Sequence, residues 1–429
     1  MEKIWYGSLF FVIAAIVLYA MHRYAWKRLV YDTRLSGRAR TWATDATIAL
    51  AFYIPIAFLL GRKLAPWIAS AVSWPAWLWF GWLFYVTVLL LMLELVRYAM
   101  MHARRWNAGR SSSADGDATV RIASANPAGA TVPAEPLSAT LDAPIDAERR
   151  VFLARTLAGT ALVGATGTTI AGIVSAEGVI TTPVVPVALP RLPRALDGFC
   201  IAQISDLHVG ALVQRRFVER VVERTNALKP DLIVITGDMV DGSVANLARE
   251  LDGLSKLRAR HGIAFVTGNH EYYSGAEEWI AWLRARGVRV LMNERVSIGD
   301  AGASFDLAGI TDAHAERRLP SHASDIGRAL AGRDEERELV LLAHQPKSIE
   351  VAEGRGVGLM LSGHTHGGQM WPFGMLVGFV QPYVKGLHRH HDGTLVYVSS
   401  GTGFWGPPMR VGNPAEIGSI VLTRGPGEM

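Results

Sequence analysis

The sequence predicts an α/β domain of about 230 residues, 197–425, carried behind an N-terminal helical membrane region. Three observations predict it. Long uncharged apolar runs crowd the first hundred residues. From Asp197 onward, short apolar runs alternate with amphipathic stretches of helical period. These apolar runs repeatedly end on Asp, Asn or His beside glycine, and open α/β sheets place their sites at strand carboxyl ends.

Composition sets the frame. Of 429 residues, 50% are hydrophobic and 13 are Trp, which is too apolar for an ordinary soluble enzyme. The net charge is +5, from basic residues spread between apolar segments rather than gathered in a patch. No nucleic-acid partner is therefore expected, and a lipid bilayer is. The single cysteine, Cys200, excludes a disulfide framework or a Cys-based zinc site within the chain.

Residues 1–100 read as three transmembrane helices. Residues 4–21 (IWYGSLFFVIAAIVLYAM) are uncharged and long enough to span. Residues 46–61 are also uncharged and contain Pro55. The third run centres on 76–93, and Trp67, Trp74, Trp77, Trp79 and Trp82 crowd its start as an interfacial aromatic belt does. Residues 101–148, rich in Ala, Ser, Pro, Gly and Asp, read as a flexible linker.

A fourth segment, 149–176, opens on Arg149-Arg150-Val-Phe and continues as a mildly apolar Gly/Thr/Ala run. It resembles the twin-arginine export signal, which implies the export machinery as a partner. The other reading is an ordinary span whose arginines anchor its cytoplasmic end. Val174-Ser-Ala176 is correspondingly a cleavage site or a set of small helical residues.

Charge gives the topology. The loop 22–45 holds Arg23, Lys27, Arg28, Arg34, Arg38 and Arg40, the next loop only Arg62 and Lys63, and the region after the third span Arg97, Arg104, Arg105 and Arg110. The positive-inside rule then puts the linker inside and residue 177 onward outside, on the periplasmic face of a bacterial inner membrane. Residues 177–196 read as an extended Pro-rich stalk.

In the catalytic half, strands are expected at 199–205, 231–236, 263–267, 339–343, 358–362 and 395–399, and helices at 214–228, 244–259 and 276–286. The strands end in Ser205-Asp-Leu-His208, Thr236-Gly-Asp-Met-Val-Asp241, Thr267-Gly-Asn-His-Glu271, Ala343-His344 and Ser362-Gly-His-Thr-His366. A single Gly-Asp is usually a turn, but five such endings in succession are not an accident of turn chemistry. His364 and His366, two apart on an extended segment, point to one side. Two ions about 3.5–4 Å apart require roughly seven protein ligands. Asp206, His208, Asp238, Asn269, His344, His364 and His366 supply that number. Carboxylate, amide and imidazole donors suit two divalent ions drawn from Mn, Fe, Zn or Co.

In order and without substitution, Asp206-Leu-His208, Gly237-Asp-Met-Val-Asp241, Gly268-Asn-His-Glu271, His344 and Gly363-His-Thr-His366 resemble the motif set of the calcineurin-like metallophosphoesterase superfamily. The resemblance covers 198–423. The tail 409–417 is similar to the closing segment of a bacterial membrane-associated branch, in which a twin-arginine-type segment precedes the phosphoesterase domain. The three extra spans and the linker depart from that branch's shorter members. The resemblance implies a four-layer α/β/β/α sandwich of two mixed sheets. It implies that Asp206, His208 and His366 bind one ion, that Asp238 bridges, and that Asn269, His344 and His364 complete the second. It makes His270 the catalytic group facing the leaving group, oriented by Asp241.

Other residues have plainer readings. His388, His390 and His391 read as a polar hairpin. Arg410 touches a phosphate or pairs with Glu416. Phe379, Tyr383, Phe404 and Trp405 contact an acyl chain or belong to the core. The expected function is a membrane-anchored two-metal phosphodiesterase acting on a lipid-linked or other envelope phosphoester. Two rivals stand beside it: a cytoplasmic-facing pyrophosphatase of a nucleotide-linked sugar lipid, and a non-catalytic sensor or scaffold built on the metal domain.

Overall fold

The computed structural model describes residues 2–61, 64, 66–115 and 143–425. The chain divides into two compact units, one of 1–3, 53–81 and 168–429, the other of 4–52 and 82–167.

Four long helices come first: α1 (Glu2–Trp26), α2 (Gly37–Gly61), α3 (Pro66–Asp115) and α4 (Ala143–Glu177). Among the described residues, three stretches, Gly37–Gly61, Trp67–Ala103 and Ala147–Glu177, are long and apolar enough to cross a membrane. Phe52, Leu59, Leu95, Val163 and Ile170 are exposed on them, as on helices solvated by lipid rather than water. α1 covers the first expected span, although its first nine side chains lie outside the described residues. The linker expected from 101 does not begin there, because α3 runs on to Asp115. A helix once nucleated extends at one bond per residue, so a polar sequence can prolong an apolar helix. Residues 116–142, and the pair Arg62 and Lys63, lie outside the described residues.

Within the second unit, Arg28 reaches both Asp32 (2.9 Å) and Glu94 (2.6 Å). Trp82 Nε1 donates to Thr166 Oγ1 at 3.1 Å, and Arg155 Nε to the Thr33 carbonyl at 3.1 Å.

The first unit carries the α/β domain. Its elements run β1 (Val184–Leu189), β2 (Phe199–Ile204), α5 (Arg215–Ala227), β3 (Leu232–Ile235), α6 (Val244–Leu247), β4 (Ile263–Phe265), α7 (Asn269–Ser274), α8 (Ala276–Arg284), β5 (Arg289–Val290), β6 (Glu294–Asp300), β7 (Ala303–Gly309), α9 (Ile326–Leu330), β8 (Leu339–Leu342), α10 (Ile349–Ala352), β9 (Leu359–Ser362), α11 (Gly374–Val377), β10 (Gly386–Arg389), β11 (Leu395–Val398) and β12 (Gly418–Arg424). They form two six-stranded sheets, in the orders β1-β12-β2-β3-β4-β5 and β10-β11-β9-β8-β7-β6. β2 to β5 are parallel, as are β11, β9, β8 and β7. β12 is antiparallel to β2, and β6 and β10 are antiparallel to their neighbours.

The architecture is the expected four-layer α/β/β/α sandwich. One core lies between the sheets, where Ile201, Leu232 and Val234 meet Phe305, Val340, Leu342 and Leu361. Alternate residues Ile233 and Ile235 turn outward onto α5 and α8, against Val221 and Trp279. Leu341 and Met360 likewise face α9 and α10. Both faces of each sheet are covered, so the central strands read as unbroken apolar runs rather than as an alternation.

Two expectations are corrected. Residues 177–196 are not a free stalk: β1 lies parallel to β12, and Val187 and Leu189 are buried in the inter-sheet core. Pro186 is tolerated because β1 is an edge strand, where a missing N–H costs no ladder bond. Ala176 is also buried, and Thr181 N–H donates to the Ala415 carbonyl at 2.8 Å, so the end of α4 is knitted into the fold. Nor do residues 244–259 form one helix. Leu247, Leu251, Leu254 and Leu257 are all buried as their spacing predicts, but α6 stops at Leu247 and a 3-10 turn covers Asp252–Lys256. Gly253, within that turn, lies against Val218 of α5.

Leu189→Ala should lower stability by about 2–5 kcal/mol, as for a buried core leucine. Thermal melting of the full chain reads this out. An unchanged midpoint would restore the stalk.

Candidate metal centre

The site is built from backbone that would be unfavourable elsewhere. Asp206, His208, Asp238, His364 and His366 all have φ between 50° and 71°. Each such left-handed residue costs about 1–2 kcal/mol, a cost that recurs where function holds it. Each follows a parallel strand: Asp206 and His208 after β2, Asp238 after β3, His364 and His366 after β9. Gly237 makes the approach possible. Its φ is 90°, and a Cβ there would lie 2.5 Å from the Gly268 amide nitrogen.

Two clusters result. Asp206, His208 and His366 form one, and Asp238, His344 and His364 the other; in each, the ligand atoms lie within 4.8 Å of one another. His208 Nε2 is 3.0 Å from His366 Nε2, and His364 Nδ1 is 3.2 Å from His344 Nε2. Asp238 Oδ2 lies 3.1 Å from His344 Nε2 and 3.8 Å from His208 Nε2, so this carboxylate faces both groups. The orientation of His344 is fixed from behind, because its Nδ1 donates to the Thr236 carbonyl at 2.7 Å. Asn269 opens α7, and its Oδ1 is buried with no partner among the described residues. His366 Nδ1 is likewise unpartnered. Converging imidazole nitrogens, a shared carboxylate and an orphaned amide oxygen fit a pair of divalent cations.

The charge balance says the same. Burial would lower His344, but the Asp238 carboxylate outweighs it and pushes it up to about 10. Burial, then the charge on His344, drives His364 down to about 3. His366 is held well below its usual range by burial and by His208. Burial raises Asp206, with Asp238 adding to it, while the surrounding imidazoles overcome burial at Asp238 and hold it well below the carboxylate range. The group contains more converging donors than protons can satisfy.

His270 and Asp241 stand beside this centre. Asp241 Oδ1 is 2.5 Å from His270 Nδ1, and its Oδ2 is 3.3 Å from His208 Nδ1. His270 Nε2 is then turned inward, 3.9 Å from Asp238 Oδ2. Burial opposes charge on His270, but Asp238 and Asp241 prevail and push it up to about 9. Tyr273 and Trp405 pack on its ring at 5.3 and 5.7 Å, both partly exposed.

All nine expected site residues are thus brought to one place. Glu271, quoted in its motif without a role, was missed. Its carboxylate accepts N–H bonds from Asp238 (2.9 Å), Met239 (2.7 Å) and Gly268 (2.7 Å). From the third residue of α7 it reaches back to the N–H of Gly268 at the helix N-cap, the carboxylate half of a capping box, which the Gly-Asn-His-Glu spacing could have signalled. Arg410 meets neither expectation. It is buried, and donates to the carbonyls of Gly403 (2.8 Å), Gly401 (3.0 Å) and Asn413 (3.1 Å), bracing the loop behind Asp206. Phe404 is core, whereas Phe379 is exposed. The histidines 388, 390 and 391 lie in the β10–β11 hairpin, with His391 bonded to Glu353 at 2.6 Å.

Two packed sheets with a double Asp/His cluster at their carboxyl ends define a metal-dependent phosphoesterase scaffold. The calcineurin-like phosphoesterase family model matches residues 200–368. An uncharacterized metallophosphoesterase of Aquifex aeolicus is 34% identical over 238 residues, 55% of this chain and 89% of that protein. The chain therefore belongs to the calcineurin-like metallophosphoesterase family, whose members use two divalent metal ions. An uncharacterized metallophosphoesterase of Helicobacter pylori is 41% identical over 55% of this chain and 62% of its own length. A transmembrane protein with metallophosphoesterase domain from Danio rerio is 39% identical over 56% of this chain and 57% of its own. The chain thus spans about six tenths of the length of these two relatives. Its own apolar helices make it membrane-associated.

Glu271→Gln would turn an amide N–H₂ toward backbone donors. Losing a buried acceptor of this kind costs about 1–3 kcal/mol. Calorimetric Mn²⁺ titration should show weaker binding beside a lowered melting temperature, and wild-type values for both would remove Glu271 from the site.

Proposed function

We propose that this protein is a membrane-anchored, two-metal phosphodiesterase acting on a lipid-linked phosphoester at the outer face of a bacterial inner membrane. The observation that carries the reading is the Asp238 carboxylate shared between two His/Asp clusters, with His270 poised beside it. Asp206, His208 and His366 would hold one cation, Asn269, His344 and His364 the other, and Asp238 both. Bound there, two divalent cations lower the pKa of a water and offset charge on phosphoryl oxygens.

The chain's own groups do the rest. Asp241 takes the Nδ1 proton of His270 in a hydrogen bond, which fixes the ring and leaves the Nε2 proton facing the site. A protonated His270 can donate that proton to the departing ester oxygen, the step an alkoxide leaving group needs and a good leaving group does not. Tyr273 and Trp405 flank that position and offer aromatic surface to the leaving group. Arg149 and Arg150 support insertion through the twin-arginine machinery, and the basic loop 22–45 supports the outward orientation.

The enzyme loaded with Mn²⁺ should hydrolyse a chromogenic phosphodiester, and Asp238→Asn should abolish turnover. Asp241→Asn should act differently. The Asp241 charge helps keep His270 protonated, so removing it lowers the His270 pKa. Activity needing the protonated ring is lost as pH rises through that pKa, so the alkaline limb of kcat/KM should move to lower pH. Two bound ions without turnover on any phosphoester would favour a scaffold.

An alkaline phosphatase reporter fused after residue 429 should be active in intact cells. An inactive reporter, with a C-terminal fluorescent protein folding normally, would reverse the orientation.

A further inference from the structure

The segment 371–380 (WPFGMLVGFV) contains no charge, yet it stands in the open. Phe379 is 84% exposed, Val380 73% and Met375 70%, and Trp371, Phe373 and Leu376 are exposed with them. A continuous apolar decapeptide of this kind marks an interaction surface. It begins five residues after His366, and its turn is pressed onto the metal-site loop: a Cβ on Gly368 would overlap the Gly374 backbone.

Its base shows what it faces. Gln369 Nε2 donates to the carbonyls of Trp405 (3.0 Å) and Pro407 (3.1 Å), and the Trp371 N–H donates to the Val411 carbonyl at 3.0 Å. The stretch 405–411 rests in turn on the apolar helices that belong to the same unit. The Trp405 and Trp77 rings lie 6.3 Å apart. Met409 fills the space left by Gly81 of α3, and the Arg410 N–H donates to the Gly172 carbonyl of α4 at 2.9 Å. Both helices are long and apolar enough to cross a membrane. The exposed segment is thus one hydrogen-bonded stretch away from helices apolar enough to cross a membrane, and on the side of the site where Trp405 meets His270.

We propose that residues 371–380 form a lip that inserts into the bilayer interface, seats the metal centre on the headgroups, and admits a lipid-borne phosphoester directly from the membrane. Apolar side chains without charge gain from the acyl boundary what they lose in water. Insertion stands on the lip alone; the delivery of substrate rests on the phosphoesterase reading above.

The test uses the full chain in lipid vesicles. Phe379→Cys, in a Cys200→Ser background, carries an environment-sensitive fluorophore, and spin-labelled lipids serve as quenchers. Insertion predicts blue-shifted emission quenched by lipids labelled along the acyl chain. Water-like, unquenched emission overturns the proposal, as does emission buried only by contact between copies and lost on dilution into more lipid. This readout needs no turnover, so it survives failure of the enzymatic reading. In parallel, Met375→Glu with Phe379→Glu should lower Mn²⁺-dependent hydrolysis of a vesicle-borne phosphodiester about tenfold or more, since charges are costly in the membrane. Hydrolysis of a soluble chromogenic diester by the same variant should stay near wild type, which also certifies its fold. Equal loss on both substrates, or loss on neither, overturns the delivery role. Phe379→Leu, still apolar, should restore the lipid activity.

Discussion

Asp238 has three imidazoles within 4 Å of its carboxylate, those of His208, His270 and His344, and it is 2% exposed. A buried carboxylate left alone would cost several kcal/mol. Here it is surrounded by donors from three different strand ends, and its backbone N–H is held by Glu271, beside His270 in the first turn of α7. The left-handed backbones, the glycine contacts and the lifted His344 all follow from bringing those groups to one carboxylate.

The scaffold makes this possible by stiffness. Gln203 of β2 donates to Thr236 Oγ1 (2.9 Å) and across to the Ser362 carbonyl of β9 (2.8 Å), so the two sheets are tied directly beneath the site. His364 N–H donates to Asp206 Oδ1 at 2.9 Å, which joins a residue after β9 to one after β2. Each cluster therefore takes members from both sheets, and sliding one sheet past the other would dismantle both. Buried polar networks of this kind are costly unless complete, and two cations would complete this one.

The candidate metal centre and the apolar helices meet at one stretch, 403–411. Its Gly403 N–H donates to the Asp206 carbonyl at 2.9 Å, its Trp405 packs on His270, and its Met409 and Arg410 touch α3 and α4. Arg410, buried to 1% exposure, holds this stretch in shape by donating to carbonyls rather than by pairing with substrate. A guanidinium has five donors and no acceptor, which suits it to gathering carbonyls in a loop that no sheet ladder satisfies.

Much of this was written in local sequence. The apolar runs set the central strands, and the Asp, Asn and His endings named the nine residues that the fold gathers, because chemistry at a strand's carboxyl end is a local property of where the run stops. What the sequence could not decide was set by distant partners. β1 looks like a Pro-rich tether, since its pairing partner lies more than two hundred residues away and only burial against Leu422 and Phe199 makes it a strand. The leucines of 244–257 have helical spacing, but their backbone follows the packing on α5 instead. Glu271 and Arg410 are a charge in a motif and a charge in a loop until folding surrounds them with backbone donors or acceptors. Ligand identity is carried by residue type, which sequence shows directly; pairing, bracing and exposure belong to what each residue touches, and only the tertiary structure decides that.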